Sequence, residues 1–471
     1  MVKAKLAVTL MLVFCLVFVA ACSSSNNKDG ETDKGTNNSA NTNTSTNSSQ
    51  NNSNNSNNNN EPAPPEPEPE INMNGEELKI LHWSPAPDPE TAEGALMLEH
   101  WAEIESKYNV KIVWEQVPWG EPIKMVTNAA LTGESVADFV ALDLYFAIPA
   151  IKEGLFMPVD EFFDFDDPKW PKNISKITSY KGRTYGINSI NSFATGLYFN
   201  KTLLEREGQP NPHDLVAQGK WTWEEFLKIA KAVTKDLDGD GVTDQWGIVN
   251  TPVNLYRMFI YSNGGSLMKE VDGKMVFPYD DAKTLEALHF YSDLYNVHKV
   301  AMPPRGDSWS IDDYNDSQTM FNGGKAAFVT GELWEGAERK TMTDEQGFVY
   351  FPKGPGRMDS WSATVENFVA FYIPANVKRA EEKAKIWEEM QMWDRVPQIL
   401  RENAEQQNLA DERDIEVMMD IVNYSEPLFL SIGGAGTDLA YSISFKGESP
   451  ETIMERNKQV AQDALDQLYN N

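Results

Sequence analysis

Residues 78–83 read Leu-Lys-Ile-Leu-His-Trp, residues 110–114 read Val-Lys-Ile-Val-Trp, and residues 138–142 read Asp-Phe-Val-Ala-Leu. Each is a short apolar run rich in strand-forming residues. Between the first two, Met97, Trp101, Ile104 and Tyr108 recur at i, i+4, i+7 and i+11, one apolar stripe of a helix. A second helical pattern over 123–131 precedes the third run. Strand–helix–strand–helix–strand predicts βαβ units and a mostly parallel sheet flanked by helices, an α/β fold. In such sheets ligands gather at loops beyond the carboxyl ends of the strands. Those loops here carry Trp83 to Asp88, the Trp119 region, and Asp143 to Tyr145.

A second mixed region follows. Thr222-Trp223-Glu224-Glu225 has the spacing of a capping box, and Trp221 with Phe226 fits the hydrophobic staple beside it. Trp221 is therefore expected to pack rather than to bind. Further helices are expected over 282–296, 379–393 and 403–423, with a last one opening at Ser449-Pro450. Strands are expected at 196–199, 246–249, 326–329, 348–351 and 368–373. No internal repeat is present.

Composition excludes several functions. The 471 residues carry 71 Asp plus Glu against 41 Lys plus Arg, a formal charge of −30. Nucleic-acid binding needs a basic footprint, and so does a polybasic grip on lipid headgroups. The two cysteines, Cys15 and Cys22, lie near the start, so a disulfide scaffold or a cysteine-based zinc site is excluded from the folded body. None of the 5 histidines pairs at i, i+4 spacing, and no zincin helix is present.

The N-terminus reads as an address. Lys3 and Lys5 precede an apolar run over 6–19, too short for a bilayer span, which needs about 20 apolar residues. The run ends Val19-Ala20-Ala21-Cys22, which resembles the bacterial lipobox. That resemblance implies a signal peptide over 1–21, cleavage before Cys22, and a diacylglycerol on its sulfur. Residues 23–60 are almost entirely Asn, Ser, Thr and Gly, and 61–70 read EPAPPEPEPE. Neither stretch buries enough apolar surface to offset its ordering entropy, so 22–75 is expected to be a tether. The expected location is the extracellular face of the cell membrane, held by lipid.

Several segments, in order, resemble the family 1 extracellular solute-binding proteins of ABC importers. They are the lipobox, Tyr185-Gly186-Ile187 leading to Gly196-Leu197-Tyr198-Phe199-Asn200-Lys201, and Trp221 to Phe226. Ser262-Asn263-Gly264-Gly265 and Phe321-Asn322-Gly323-Gly324-Lys325-Ala326-Ala327-Phe328 follow. Phe351-Pro352-Lys353-Gly354-Pro355 and the strand at 368–373 come last. The resemblance implies a two-lobe, type II binding-protein fold in which the chain crosses between lobes about three times. Lobe 1 is expected to hold 76–186 and 370–400, and lobe 2 to hold 187–369 and 401–471. It further implies a monomeric, non-enzymatic receptor that passes a sugar or oligosaccharide to a membrane permease.

A sugar ring presents an apolar C–H face to a flat aromatic and hydroxyls to fixed acceptors and donors. Residues of those types in loops are Trp83, Trp119, Asp143 and Tyr145 from the first lobe. From the second come Asn263, Trp309, Glu332, Trp334, Trp361, Glu366 and Asn367. Competing readings are a surface glycosidase or polysaccharide lyase, which also uses aromatics and carboxylates, and a binder of a non-sugar solute. No Gly-x-Ser-x-Gly elbow or phosphate loop favours another chemistry.

One further motif is separate. Asp236, Asp238, Asp240 and Asp244 occupy positions 1, 3, 5 and 9 of a calcium-loop pattern, with Gly241 at position 6 and the Val242 carbonyl at 7. Gly247 replaces the bidentate Glu at position 12. The expectation is a structural Ca²⁺ of reduced affinity, with no organic cofactor.

Overall fold

The computed structural model describes residues 71–470 apart from 172, 190–193, 340, 366–367, 407–408, 410, 428–431 and 433. The signal peptide, Cys22, the tether before Ile71, Glu366 and Asn367 therefore lie outside the described residues. Among the described residues no helix is long and apolar enough to cross a membrane.

Two sheets organise the body. The first uses β1 (Glu77–His82), β2 (Lys111–Gln116), β3 (Phe139–Asp143) and β4 (Gly186–Ile187). The chain then builds β5 (Ala194–Asn200), β6 (Trp246–Val249), β7 (Ala326–Glu332), β8 (Gln346–Val349) and β9 (Ala363–Val365). It returns for β10 (Val369–Tyr372) and ends its strands with β11 (Ser425–Pro427). The 5-stranded sheet has the order β2-β1-β3-β10-β4; the 6-stranded sheet has β11-β9-β5-β7-β6, with β8 also paired to β5. In the first sheet only β10 runs against the rest, and in the second only β5. Each is the first strand after the chain leaves the other sheet. The other strands end where the sheets face one another, so a strand entered from that side must run away from it. This is a two-lobe fold with mostly parallel sheets.

Ile187 and Val369, which the sequence reading places in lobe 2, are strand residues of the first sheet: Phe371 pairs with Ile187, and Val369 with Asp143. Both sit at the crossing itself, where hydrophobicity is the same on either side.

The first sheet is covered by α1 (Ala92–Tyr108), α2 (Glu121–Thr132) and α3 (Leu144–Lys152) and by the helix Ala380–Met390. Its core includes Leu78, Ile80, Phe139, Ile148 and Trp387. The buried Lys383 ammonium reaches Asp138 at 2.6 Å, and Asp138 also accepts from the Lys79 backbone. The second sheet carries a larger core with Phe199, Trp221, Phe226, Phe259 and Phe328, and a further cluster around Tyr198 and Phe348. There Asp414, fully buried, accepts from His213 at 2.7 Å, Lys201 at 2.8 Å and the Phe348 backbone at 2.8 Å. One carboxylate thus ties together three segments far apart in sequence.

Several local expectations change. Thr222 is the N-cap of the helix Trp223–Val233, but its side chain makes no capping hydrogen bond. The Trp223 amide instead donates to the Lys353 carbonyl at 3.0 Å, because residue 353 bridges beside Thr222. Trp221 is core, 1% exposed, as its staple position implies. The expected helix over 403–423 is two helices, Val396–Gln406 and Glu412–Ile421, the second capped by Asp411. Helix Pro252–Ser262 is buried nearly all round, so it has no polar face to give it a periodic signature.

Candidate functional site

A cavity of about 770 Å³ opens where the two sheets face each other. Its lining comes from the carboxyl ends of β1, β3 and β7 and from the start of β10: His82, Asp143, Glu332 and Val369 all contribute. The strand registers explain the convergence. Val369 pairs with Asp143 in one sheet, and Glu332 pairs with Thr195 in the other.

The first wall is an aromatic shelf. His82 stacks on Trp114 with centroids 5.0 Å apart, Trp114 stacks on Trp101 at 5.9 Å, and Trp83 and Phe371 lean on His82 at 4.8 and 5.7 Å. The shelf is fixed by polar contacts at its back. Ser84 donates its amide to His82 Nδ1 at 2.7 Å, and the Trp114 indole donates to the Ser84 carbonyl at 3.0 Å. Burial lowers the His82 pKa to about 4, so the imidazole is neutral and behaves as one more flat ring.

The adjoining loop over 85–91 runs into α1. Thr91 caps the helix by accepting from the Gly94 amide at 3.0 Å, and its hydroxyl donates to the Asp88 carbonyl at 2.9 Å. Gly94 is required by that close approach, since a Cβ there would lie 2.0 Å from the Asp88 carbonyl oxygen. Pro85, Pro87, Asp88, Thr91 and Glu93 all line the cavity.

Two indole–carboxylate pairs face one another from the two sheets. The Trp119 indole donates to Asp143 Oδ2 at 2.9 Å, while Asp143 Oδ1 is buried without a hydrogen-bond partner among the described residues. Burial raises the Asp143 pKa, against the opposing pull of the Trp119 hydrogen bond. Across the cavity the Trp334 indole donates to the Glu332 carboxylate. Trp334 sits on the turn Leu333–Arg339, which a buried network holds in shape. Glu335 accepts from the Glu332 amide at 3.0 Å and from Arg339 at 3.3 Å, and the Arg339 guanidinium lies 4.3 Å over the Tyr198 ring. Trp119 and Trp334 nonetheless remain 58% and 42% exposed, so their faces are open to a ligand.

Of the residues named from sequence, Trp83, Trp119, Asp143, Glu332 and Trp334 meet in this one cavity. Tyr145 is exposed, packs edge-on against Phe146, and does not line it. Trp309 is also exposed and lies outside the lining. Asn263 is corrected to a structural role: fully buried, it donates to the Lys283 carbonyl and Glu286 and accepts from the Gly356 amide. Trp361 is likewise structural, stacked on Tyr350 at 4.7 Å beneath the Lys353 ammonium. His82, Trp114 and Phe371 were not anticipated. They read as strand residues, and only the end of a strand distinguishes a lining ring from a core ring.

At the acidic loop, carboxylate oxygens of Asp236, Asp238 and Asp244 lie within 4.8 Å of one another. Asp240 is not part of that group; its carboxylate accepts from the Val242 amide at 2.7 Å. Asp236 accepts from the Gly239 and Gly241 amides, which hold its pKa below the ordinary carboxylate value. Gly247, at position 12, is a strand residue packed on Ala230 and offers no oxygen from a side chain. The loop therefore fits a hard cation with three carboxylates rather than four.

A family model described as bacterial extracellular solute-binding protein matches residues 88–387. Putative binding proteins of Brucella abortus and Brucella suis are 24% identical over 286 residues, 59% of this chain. The match spans 63% of those relatives' own length. Among solved structures, M. tuberculosis UspC superposes with a TM-score of 0.63 at 17% identity, covering 82% of this chain and 100% of that one. A substrate-binding protein of Listeria monocytogenes in complex with cycloalternan gives 0.59 at 16%, covering 83% and 98%. A maltose/maltodextrin-binding domain of Bdellovibrio bacteriovorus bound to maltotriose gives 0.56 at 16%, covering 82% and 99%. The matched stretch includes the loop at Asp88, both indole–carboxylate pairs and the strands that cross between the sheets, and the chain belongs to the bacterial extracellular solute-binding proteins.

Proposed function

We propose that this chain is the lipid-anchored capture subunit of an ABC importer, binding a sugar or oligosaccharide between its lobes and handing it to a permease. The observation that carries this reading is the pairing of indole and carboxylate on both sides of one cavity. Aromatic faces suit the C–H face of a sugar ring, and carboxylates held by indole N–H groups are oriented acceptors for its hydroxyls. Two of the similar structures hold oligosaccharides, maltotriose and cycloalternan, which favours the same ligand class here. The chain performs no chemistry in this reading. Lobe closure about the crossing segments traps the ligand, and the permease reads the closed form.

A saccharide panel read by thermal shift tests it. A ligand at about 100 times its Kd adds ~2.7 kcal/mol to the folded state and raises Tm. Failure of every glycan to raise Tm sinks the proposal, and release of reducing ends from polysaccharide by the purified protein replaces it with an enzyme. Anchoring through Cys22 is tested by Cys22→Ser, which should move the protein from the membrane fraction to the medium. The acidic loop is proposed to hold a structural Ca²⁺ through Asp236, Asp238 and Asp244. Calcium should raise Tm, and Asp238→Asn should remove the effect; a Tm indifferent to calcium and chelator ends that assignment.

A further inference from the structure

Three cavity carboxylates differ from the ion-paired buried carboxylates elsewhere in the molecule: Asp88 and Glu93 are exposed and Asp143 is half-buried. Asp138 has Lys383, Asp414 has Lys201, and Glu335 has Arg339. The cavity lining holds Asp88, Glu93, Asp143 and Glu332 and, among the described residues, no lysine or arginine. Asp88, Glu93 and Asp143 make no salt bridge among the described residues. The Asp88 carboxylate accepts from the Glu90 amide at 2.9 Å, and Asp143 accepts from the Trp119 indole and its own backbone amide. Desolvation raises the pKa of both Asp143 and Glu93. Glu402 adds to the effect at Glu93. The remaining titratable group of the lining, His82, is neutral above its pKa of about 4 and supplies no cation at pH 7.

Low-dielectric walls focus the field of such a cleft, and the formal charge of −30 adds an attractive long-range term for cations. A neutral sugar satisfies carboxylate lone pairs through hydroxyls but leaves the charge in place. An ammonium group on the ring does both, through charge-assisted hydrogen bonds. A uronate or phosphate group meets only like charge.

Resting on the saccharide reading of this cavity, we propose that its ligand is an amino-substituted, cationic saccharide. Neutral saccharides are taken more weakly, and acidic ones are excluded. Asp143, which lines the cavity, is the principal acceptor for the ammonium, with the exposed Asp88 and Glu93 in the same lining.

The test is calorimetric titration of the full chain with matched ligands. The probes are glucose, glucosamine and glucuronate, and the β-1,4-linked trisaccharides of the same three rings, at low and at 0.5 M salt. The expected order is amino, then neutral, then acidic, with roughly tenfold or more between the first and last and a gap that narrows with salt. In Asp143→Asn the ratio of amino to neutral affinity should fall several-fold; thermal melting checks that the variant is folded. Acidic ligands binding as tightly as amino ligands, or an Asp143→Asn ratio equal to wild type, overturns the charge selectivity while leaving the saccharide reading intact. Binding by none of the six, with no glycan active in the thermal panel, removes the underlying reading and this inference with it.

Discussion

Replacing Gly94 by alanine sets two opposing effects against each other. Gly94 lies in the first turn of α1, where alanine normally gains about 0.5–1 kcal/mol through helix propensity. The added Cβ, however, would stand 2.0 Å from the Asp88 carbonyl oxygen and 2.7 Å from its carbon. Both are backbone atoms, so no side-chain rotation relieves the overlap, and the loop or the helix must retreat by more than 1 Å to reach an ordinary contact near 3.4 Å. Overpacking of that kind costs about 1–3 kcal/mol, so the clash wins and the variant is destabilised by roughly 1–2 kcal/mol. For lobes of this size Tm should fall by several degrees. Ligand affinity should fall with it, since Pro85, Pro87, Asp88 and Thr91 of the displaced loop line the cavity. Differential scanning calorimetry and a binding titration read the two effects. A Gly94→Ala protein as stable as wild type or more so, with unaltered affinity, would refute the close packing of loop on helix.

Other outcomes follow from the same geometry. Burial depresses the His82 pKa to about 4, below its unfolded value of 6.5, so this group's contribution to stability is complete above pH 6.5 and is lost as pH falls toward 4. The loss is of order 2–3 kcal/mol, and His82→Asn should flatten the difference between melts at pH 6.5 and 4.5; parallel curves would count against a neutral buried imidazole. Trp119→Ala and Trp334→Ala should each weaken ligand binding about tenfold with little change in Tm, because both rings are largely exposed. Loss of stability without loss of affinity would mark them as packing residues. Asp414→Ala should destabilise by about 3–5 kcal/mol by removing the buried acceptor shared by Lys201, His213 and the Phe348 amide; chemical denaturation showing less than 1 kcal/mol would show that the site relaxes.

Much of the architecture is legible locally. The runs at 78–83, 110–114 and 138–142 and the stripe of Met97, Trp101, Ile104 and Tyr108 already contain the first βαβ units. The helix Ala282–Asn296 and the Ser449 cap of the last helix were likewise readable, because period and cap chemistry are properties of neighbouring residues. The site was legible in part. Trp83, Trp119 and Asp143 follow from the rule that ligands gather beyond strand ends, and Trp334 from being a loop aromatic of the kind that suits a sugar ring. Asn263 misled because a loop asparagine and a buried asparagine satisfying a turn look alike in sequence. His82, Trp114 and Phe371 were missed because an aromatic on a strand carries no mark of which end of the sheet it occupies.

The sequence by itself determined what depends on composition and near neighbours: an acidic, cysteine-poor body, its strand and helix periods, and an aspartate-rich loop. Only the tertiary structure decided which rings and carboxylates share a cavity. That depends on registers such as Val369 against Asp143 and Glu332 against Thr195, contacts between residues more than a hundred positions apart. It also decided that Asp88, Glu93 and Asp143 share one cavity with no lysine or arginine among its described lining residues, because charge compensation is set by distance in space.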